Sequence, residues 1–145
     1  MKQPGVLLVL VIFVAAVSFV VGSEQYKNGR MKTTVLNGAN ALPTIGDPDG
    51  SGVFKFAIKP EENQFCYELN VSNVGIPTAA TVGIGSRGNT GPTLLTLQPP
   101  SHGTAKDCLT LDADKISELN SNLGNYYVSV QTEEFPNGAV RGQMK

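Results

Sequence analysis

The feature that most constrains the fold is a pair of short alternating segments, residues 126–132 and 139–144, separated by a tight turn. The first segment reads Tyr-Tyr-Val-Ser-Val-Gln-Thr, the turn Glu-Glu-Phe-Pro-Asn-Gly and the second segment Ala-Val-Arg-Gly-Gln-Met. Strand-forming residues on both sides of an Asn-Gly turn are the signature of a β-hairpin. Residues 126–144 therefore predict two antiparallel strands.

Further short strand patterns precede this hairpin, at residues 33–36, 53–58, 64–71, 79–84, 93–97 and 108–111. Residues 53–58 alternate, so that the bulky side chains of Phe54, Phe56 and Ile58 share one face, which we expect to be the core face. Residues 64–71 alternate in the same way after a turn at 60–63. These two segments therefore predict a second hairpin.

One short helix is predicted after the strand at 108–111. Asp112 is expected to cap it, and Ile116, Leu119 and Leu123 follow at helical spacing. About seven short strands with one small helix predict an all-β domain, built as an antiparallel sandwich or barrel.

The first residues predict export. Lys2 precedes an apolar run from Val6 to Val21, and Gly22 and Ser23 provide small residues for cleavage before the polar Glu24. This pattern predicts a signal peptide over residues 1–23, a flexible lead-in over 24–32 and one domain over 33–145. The alternative is a membrane anchor that tethers a surface protein, although the run is shorter than the roughly 20 apolar residues that a spanning helix needs.

Charge and cysteine content narrow the class of partner and the compartment. Without Lys2, ten Lys and Arg face twelve Asp and Glu, a net charge of about −2 with no basic stripe, so nucleic acid and anionic membrane surfaces are not expected as partners. Cys66 and Cys108 are the only cysteines. An even pair in an exported chain predicts one disulfide, and a free catalytic thiol is the weaker alternative.

Five landmarks then occur in order, at residues 46–52, 65–69, 88–92, 107–108 and in the terminal hairpin. They read Gly-Asp-Pro-Asp-Gly-Ser-Gly, Phe-Cys-Tyr-Glu-Leu, Gly-Asn-Thr-Gly-Pro, Asp-Cys and the hairpin sequence given above. In this order the chain from Leu36 to Met144 resembles the CHRD domain, a module first recognised in chordin. The resemblance implies a Greek-key-like fold, loosely similar to copper-zinc superoxide dismutase, and an extracellular or envelope setting. It implies no reaction.

The chain departs from this family at three positions where the family tends to have histidine. Thr81 and Gly83 stand on one strand pattern and Gln131 on another. Histidines at alternate strand positions would point the same way and could join a third on a metal ion. Thr81, Gly83 and Gln131 cannot rebuild such a ligand set. We therefore expect no cofactor and no metal, and a metal-binding or superoxide-dismutase-like enzyme is the competing interpretation.

Two other segments resemble metal sites only superficially. His102 is the only histidine, and one imidazole cannot supply the several nitrogen ligands of a copper-zinc site, so we expect a solvated loop residue. Residues 47–52 begin like a calcium loop, but Ile58 stands where a bidentate glutamate is required. A tight turn is the preferred interpretation of residues 47–52.

The remaining candidates are surface or scaffold residues. Asn70 begins an Asn-Val-Ser sequon and is a candidate for N-glycosylation, which its predicted outward face favours. Arg141 is expected to hold a carboxylate or several backbone carbonyls. At least one of Tyr126 and Tyr127 is expected to be exposed.

These observations predict a secreted, noncatalytic module of the extracellular space or cell envelope, with a binding or structural role. Its partner would be an unknown extracellular protein or matrix component. The loops at residues 85–92 and 99–106 are the predicted recognition surfaces, because recognition is commonly carried by loops on a rigid scaffold.

Overall fold

The fold is described from a computed structural model, which covers residues 30–145. The predicted signal peptide and the first part of the lead-in lie outside the described residues. The strands are β1 (Lys32–Asn37), β2 (Ser51–Lys59), β3 (Gln64–Ser72), β4 (Pro77–Ile84), β5 (Thr93–Leu97), β6 (Thr104–Thr110), β7 (Tyr126–Thr132) and β8 (Val140–Gln143). The helix α1 spans Ala113–Ser121, and short 3₁₀ helices span Gly38–Asn40, Pro60–Glu62 and Leu123–Asn125.

All eight strands belong to one antiparallel sheet in the order β5-β4-β7-β8-β1-β2-β3-β6. Buried side chains from both ends of this order, such as Leu97 on β5 and Phe65 on β3, join one hydrophobic cluster. The sheet therefore curls around a common core into a nearly closed barrel whose edges are β5 and β6. The predicted all-β antiparallel fold with one short helix is confirmed.

The strand connections follow a Greek-key pattern. β1, β2 and β3 form a meander, after which the chain crosses to β4 and β5 and returns to place β6 beside β3. Across the open side between β5 and β6, the backbone N–H of Gln98 donates to the Tyr67 hydroxyl over 2.8 Å. One side chain of β3 thus reaches the segment that follows β5.

Aromatic side chains of β2 and β3 fill the core where the alternation predicted them. The ring centroids of Phe54 and Phe56 are 5.4 Å apart, and those of Phe56 and Phe65 are 5.8 Å apart. Ile116 and Leu119 of α1 join the same buried cluster. Strand alternation and helical spacing therefore identified the core-facing residues of these elements.

Two boundaries differ from the prediction, the start of β6 and the end of α1. β6 begins at Thr104, within the segment expected to be a loop. The start was missed because a polar edge strand shows little apolar alternation. These residues form a strand by pairing with β3, where Thr104 lies opposite Asn70. Asp112 stands at the start of α1, but its side chain makes no capping hydrogen bond. Leu123 is buried in the 3₁₀ helix that follows α1.

Candidate functional site

Thr81, Gly83 and Gln131, the three positions at which the resemblance led us to expect histidines, lie together on the outer face of β4 and β7. Ala80 and Val82 of β4 face the core, as do Val128 and Val130 of β7, so the alternate residues face outward. Gly83 lies opposite Tyr127, Thr81 opposite Ser129 and Ala79 opposite Gln131. The expectation that positions 81, 83 and 131 share one face is therefore consistent with this register.

The ring of Tyr127 occupies the space above Gly83. A Cβ atom added to Gly83 would overlap the ring carbon Cζ and the hydroxyl of Tyr127. Glycine is required here because of this close approach between neighbouring strands. A side chain as large as histidine does not fit at position 83 unless Tyr127 moves.

Arg141 of β8 lies over the other side of this ring, with its guanidinium carbon 3.7 Å from the ring centroid. Its Nη2 donates to the carbonyl oxygens of Asn89 at 2.6 Å and of Ser86 at 3.4 Å. The prediction that Arg141 holds backbone carbonyls is confirmed, and the carbonyls belong to the loop between β4 and β5.

The same loop, residues 85–92, is attached to the terminal hairpin at further points. The Tyr127 hydroxyl donates to the Gly91 carbonyl over 3.2 Å, and Gln143 Nε2 donates to the Gly85 carbonyl over 2.9 Å. Tyr127 and Tyr126 are both buried, which corrects the expectation that one of them is exposed. The reason is that the loop and Arg141 cover Tyr127, while Tyr126 faces the core.

Two polar atoms on this face are buried without a hydrogen-bond partner, Arg141 Nη1 and Gln131 Oε1. Gln131 Nε2 is satisfied, because it donates to the Ser129 hydroxyl over 3.1 Å. Burial lowers the pKa of Arg141, and the neighbouring Tyr127 acts in the opposite direction. Arginine nevertheless stays protonated in proteins, so the face contains a buried positive charge.

The side chains on this face do not fit a copper or zinc ion. Positions 81, 83 and 131 offer a hydroxyl, no side chain and an amide, whereas such ions select imidazole and thiolate ligands. Within residues 30–145, no three His, Cys, Asp or Glu side chains come together in a group that could hold a metal ion. His102 is exposed in the turn between β5 and β6.

Cys66 and Cys108 form the predicted disulfide, with a sulfur–sulfur distance of 2.08 Å. They lie directly opposite each other on β3 and the edge strand β6. The prediction of one disulfide is confirmed, and the bond lies at an edge of the sheet.

Asn70 is half-buried, and its amide is already engaged. Its Nδ2 donates to Glu68 Oε1 over 3.0 Å, and its Oδ1 accepts from the Thr104 hydroxyl over 2.7 Å. Asn70 glycosylation stays a prediction.

Asp47 is buried in the turn before β2, where its carboxylate accepts from the Asp49 backbone N–H over 3.4 Å.

A cleft of about 540 Å³, which the sequence analysis did not predict, opens next to Arg141. Its walls come from β1, the segment at 39–42, the loop at 85–92 and residues 141–145. No single sequence pattern could have revealed it, because these segments are far apart along the chain. The contact between Arg141 and the loop at 85–92 forms only in the folded barrel.

Comparison with known proteins supplies the family. A sequence model of the CHRD domain matches residues 32–144, the range that contains all eight strands and the disulfide. No curated protein and no solved structure matches the chain. The resemblance in the landmarks and the match over most of the sequence agree, and the chain belongs to the CHRD domain family.

Proposed function

We propose that this protein is an exported, noncatalytic CHRD module that binds a protein or matrix component in the extracellular space or the cell envelope. The observation that carries the proposal is the outer face of β4 and β7. Where a histidine cluster could bind a metal, Tyr127 fills the space above Gly83, and Arg141 stacks on its ring and binds the loop at 85–92. The face is therefore organised to hold a loop.

Export is supported by the disulfide, because such bonds persist in oxidising compartments. The apolar run from Val6 to Val21, with small residues after it, supports delivery by a signal peptide. In the part of the chain that the structure describes, no helix is long and apolar enough to cross a membrane. Mass spectrometry of the purified protein's N-terminus tests cleavage after Ser23, and an intact Met1 segment would favour the tethered form.

The loop at 85–92 is the proposed recognition surface. Its backbone is attached to the hairpin through Arg141, Tyr127 and Gln143, while most of its side chains are exposed. A loop fixed in this way loses little conformational entropy on binding, which favours affinity. The turn that contains His102 at residues 99–103 is the second proposed surface.

Elemental analysis of the purified protein, together with a superoxide dismutase assay, tests the noncatalytic assignment. We expect no stoichiometric transition metal and no dismutase activity, because the chain lacks the nitrogen ligands for such a centre. A stoichiometric copper or zinc ion accompanied by activity would overturn the assignment.

Loop-dependent capture tests the binding role. The protein, Thr90→Arg in the exposed loop and Thr110→Arg at the end of β6 are each used as bait in an extract of the protein's own extracellular material. We expect Thr90→Arg to lose a partner that the other two baits retain. Equal capture by all three baits would show that the loop at 85–92 is not the recognition surface.

A further inference from the structure

The cleft next to Arg141 has the size and composition of a small-molecule site. Its volume of about 540 Å³ lies within the range of ligand pockets. Val35 and Leu42 contribute exposed apolar surface, while Arg87 and Arg141 contribute positive charge. Such a mixture, with apolar walls and a few polar groups, is typical of pockets that orient an amphiphilic ligand.

The charged side chains that line the cleft are all basic. Arg87, Arg141 and Lys145 line it, and no Asp or Glu side chain does. Among the described residues, no carboxylate forms an ion pair with Arg87 or Arg141. Arg141 is only 3% exposed, and a buried cation without a counter-ion is costly. An anionic ligand would provide the counter-ion that no carboxylate side chain within residues 30–145 provides.

The guanidinium of Arg141 is held in one orientation. Stacking on Tyr127 fixes its plane, and Nη2 donates to the carbonyls of Ser86 and Asn89 and to Gln143 Oε1. Nη1 is left without a hydrogen-bond partner. A guanidinium prefers a carboxylate partner, because its planar fork matches the geometry of the two oxygens.

The apolar wall indicates what the rest of the ligand is. Val35 is a strand residue that is 65% exposed, although most large apolar side chains of the barrel are buried. It lines the cleft together with Leu42 and with Met144, which is fully buried. A hydrocarbon tail placed against this wall would remove apolar surface from water.

We propose that this cleft binds a small monocarboxylate with a short apolar tail. The carboxylate lies towards Arg141 and Arg87, and the tail lies against Val35 and Leu42. The inference rests on the binding role proposed above, since Arg87 belongs to the loop at 85–92. It adds a small-molecule ligand to a surface that was proposed for a macromolecular partner.

Calorimetric titration of the full chain with hexanoate tests the chemistry, with hexanol and acetate as matched probes. We expect saturable binding of hexanoate, no binding of hexanol, which lacks the charge, and weaker binding of acetate. Each methylene that is buried strengthens binding by about fourfold. Absence of saturable hexanoate binding, or equal binding of hexanol, would overturn the proposal.

Two variants test the location. Arg87→Ala removes an exposed cation of the cleft and is expected to weaken hexanoate binding by about tenfold. Lys106→Ala, which removes an exposed cation on the edge strand β6, is expected to leave it unchanged. Equal affinities of the two variants would place the ligand elsewhere.

Resonance shifts of Gly88 and Gln143 on addition of hexanoate provide an independent readout of the location, and their absence would contradict it. Failure of these tests with loop-dependent capture intact would overturn the small-molecule site alone. Loss of loop-dependent capture with hexanoate binding intact would instead overturn the macromolecular binding role.

Discussion

At the level of single residues, Tyr127 excludes a side chain at position 83. The two residues lie opposite each other on β4 and β7, and the ring covers the glycine. Tyr127 is in turn the platform on which Arg141 rests. A side chain at position 83 would therefore compete for space with the ring on which Arg141 rests.

Gly83→Ala is expected to destabilise the protein by about 1–3 kcal/mol, because the added methyl group overpacks a close contact and displaces the Tyr127 ring. Urea unfolding measures the change. Gly124→Ala is the matched control, since a Cβ atom at Gly124 meets no atom within 4 Å. We expect the control to lie within about 0.5 kcal/mol of the parent protein. Similar losses in both variants would contradict the role of the Tyr127 ring.

Asp47 is expected to make stability depend on pH. A hydrogen bond shared with the Asp49 side chain raises the pKa of Asp47, and burial adds to this effect. The fold therefore favours the protonated acid. This contribution is fully present below the ordinary pKa of about 3.9 and is lost as the pH rises through the raised pKa.

Asp47→Asn is consequently expected to be more stable than the parent at pH 7, with the difference vanishing near pH 3. An amide oxygen can still accept from the Asp49 N–H, and the variant has no charge to bury. Urea unfolding at both pH values measures the effect. Asp114→Asn in the first turn of α1 is the control, and it should have the opposite sign at pH 7 because acids stabilise helix N-termini. A loss of stability for Asp47→Asn at pH 7 would contradict the expectation.

At the level of elements, the strands that could be predicted from the sequence are those whose apolar side chains are buried on the inner face of the sheet. The segments at 53–58 and 64–71 were predictable because apolar side chains alternate along them. β6 was placed too late because its first residues are polar and its pairing with β3 is a long-range contact. The burial of Tyr127 was missed for a similar reason, since strand alternation cannot report that a distant loop covers the outer face.

One hydrogen bond spans the open side of the barrel and can be removed by a single substitution. Tyr67→Phe keeps the ring in the aromatic core but removes the acceptor for the Gln98 N–H. We expect a loss of about 0.5–1.5 kcal/mol in the free energy of unfolding and faster hydrogen exchange at the Gln98 amide. Tyr126→Phe, which removes a hydrogen bond to Glu118, should leave that exchange rate unchanged. An unchanged rate in Tyr67→Phe would contradict the bridging role.

At the level of the whole molecule, the terminal hairpin has two tasks. Its inner face completes the barrel core through Val128, Val130 and Val140, and its outer face holds the loop at 85–92 through Arg141. The inner task could be predicted from alternation. The attachment of the loop and the cleft beside it could not be predicted from any local pattern. They depend on four segments that meet only in the folded barrel.

The disulfide is expected to stabilise the closed barrel chiefly through the unfolded chain. Cys66 and Cys108 are 42 residues apart in sequence, and the segment between them contains β4 and β5. The chain-entropy relation for such a loop gives a stabilisation of about 4 kcal/mol. Paired substitution of both cysteines by serine should therefore lower the urea midpoint while leaving the β-sheet circular dichroism of the native state unchanged.

Reducing agent provides the control for this pair of substitutions. It should lower the midpoint of the parent protein to that of the Cys66→Ser, Cys108→Ser variant and should not affect the variant, because only the parent contains the bond. Mass spectrometry after nonreducing digestion should recover a linked Cys66–Cys108 peptide. The expectation would be contradicted if the reductant left the parent's urea midpoint unchanged and both cysteines could be alkylated. The pairing of β3 with β6 would then form without a covalent bond.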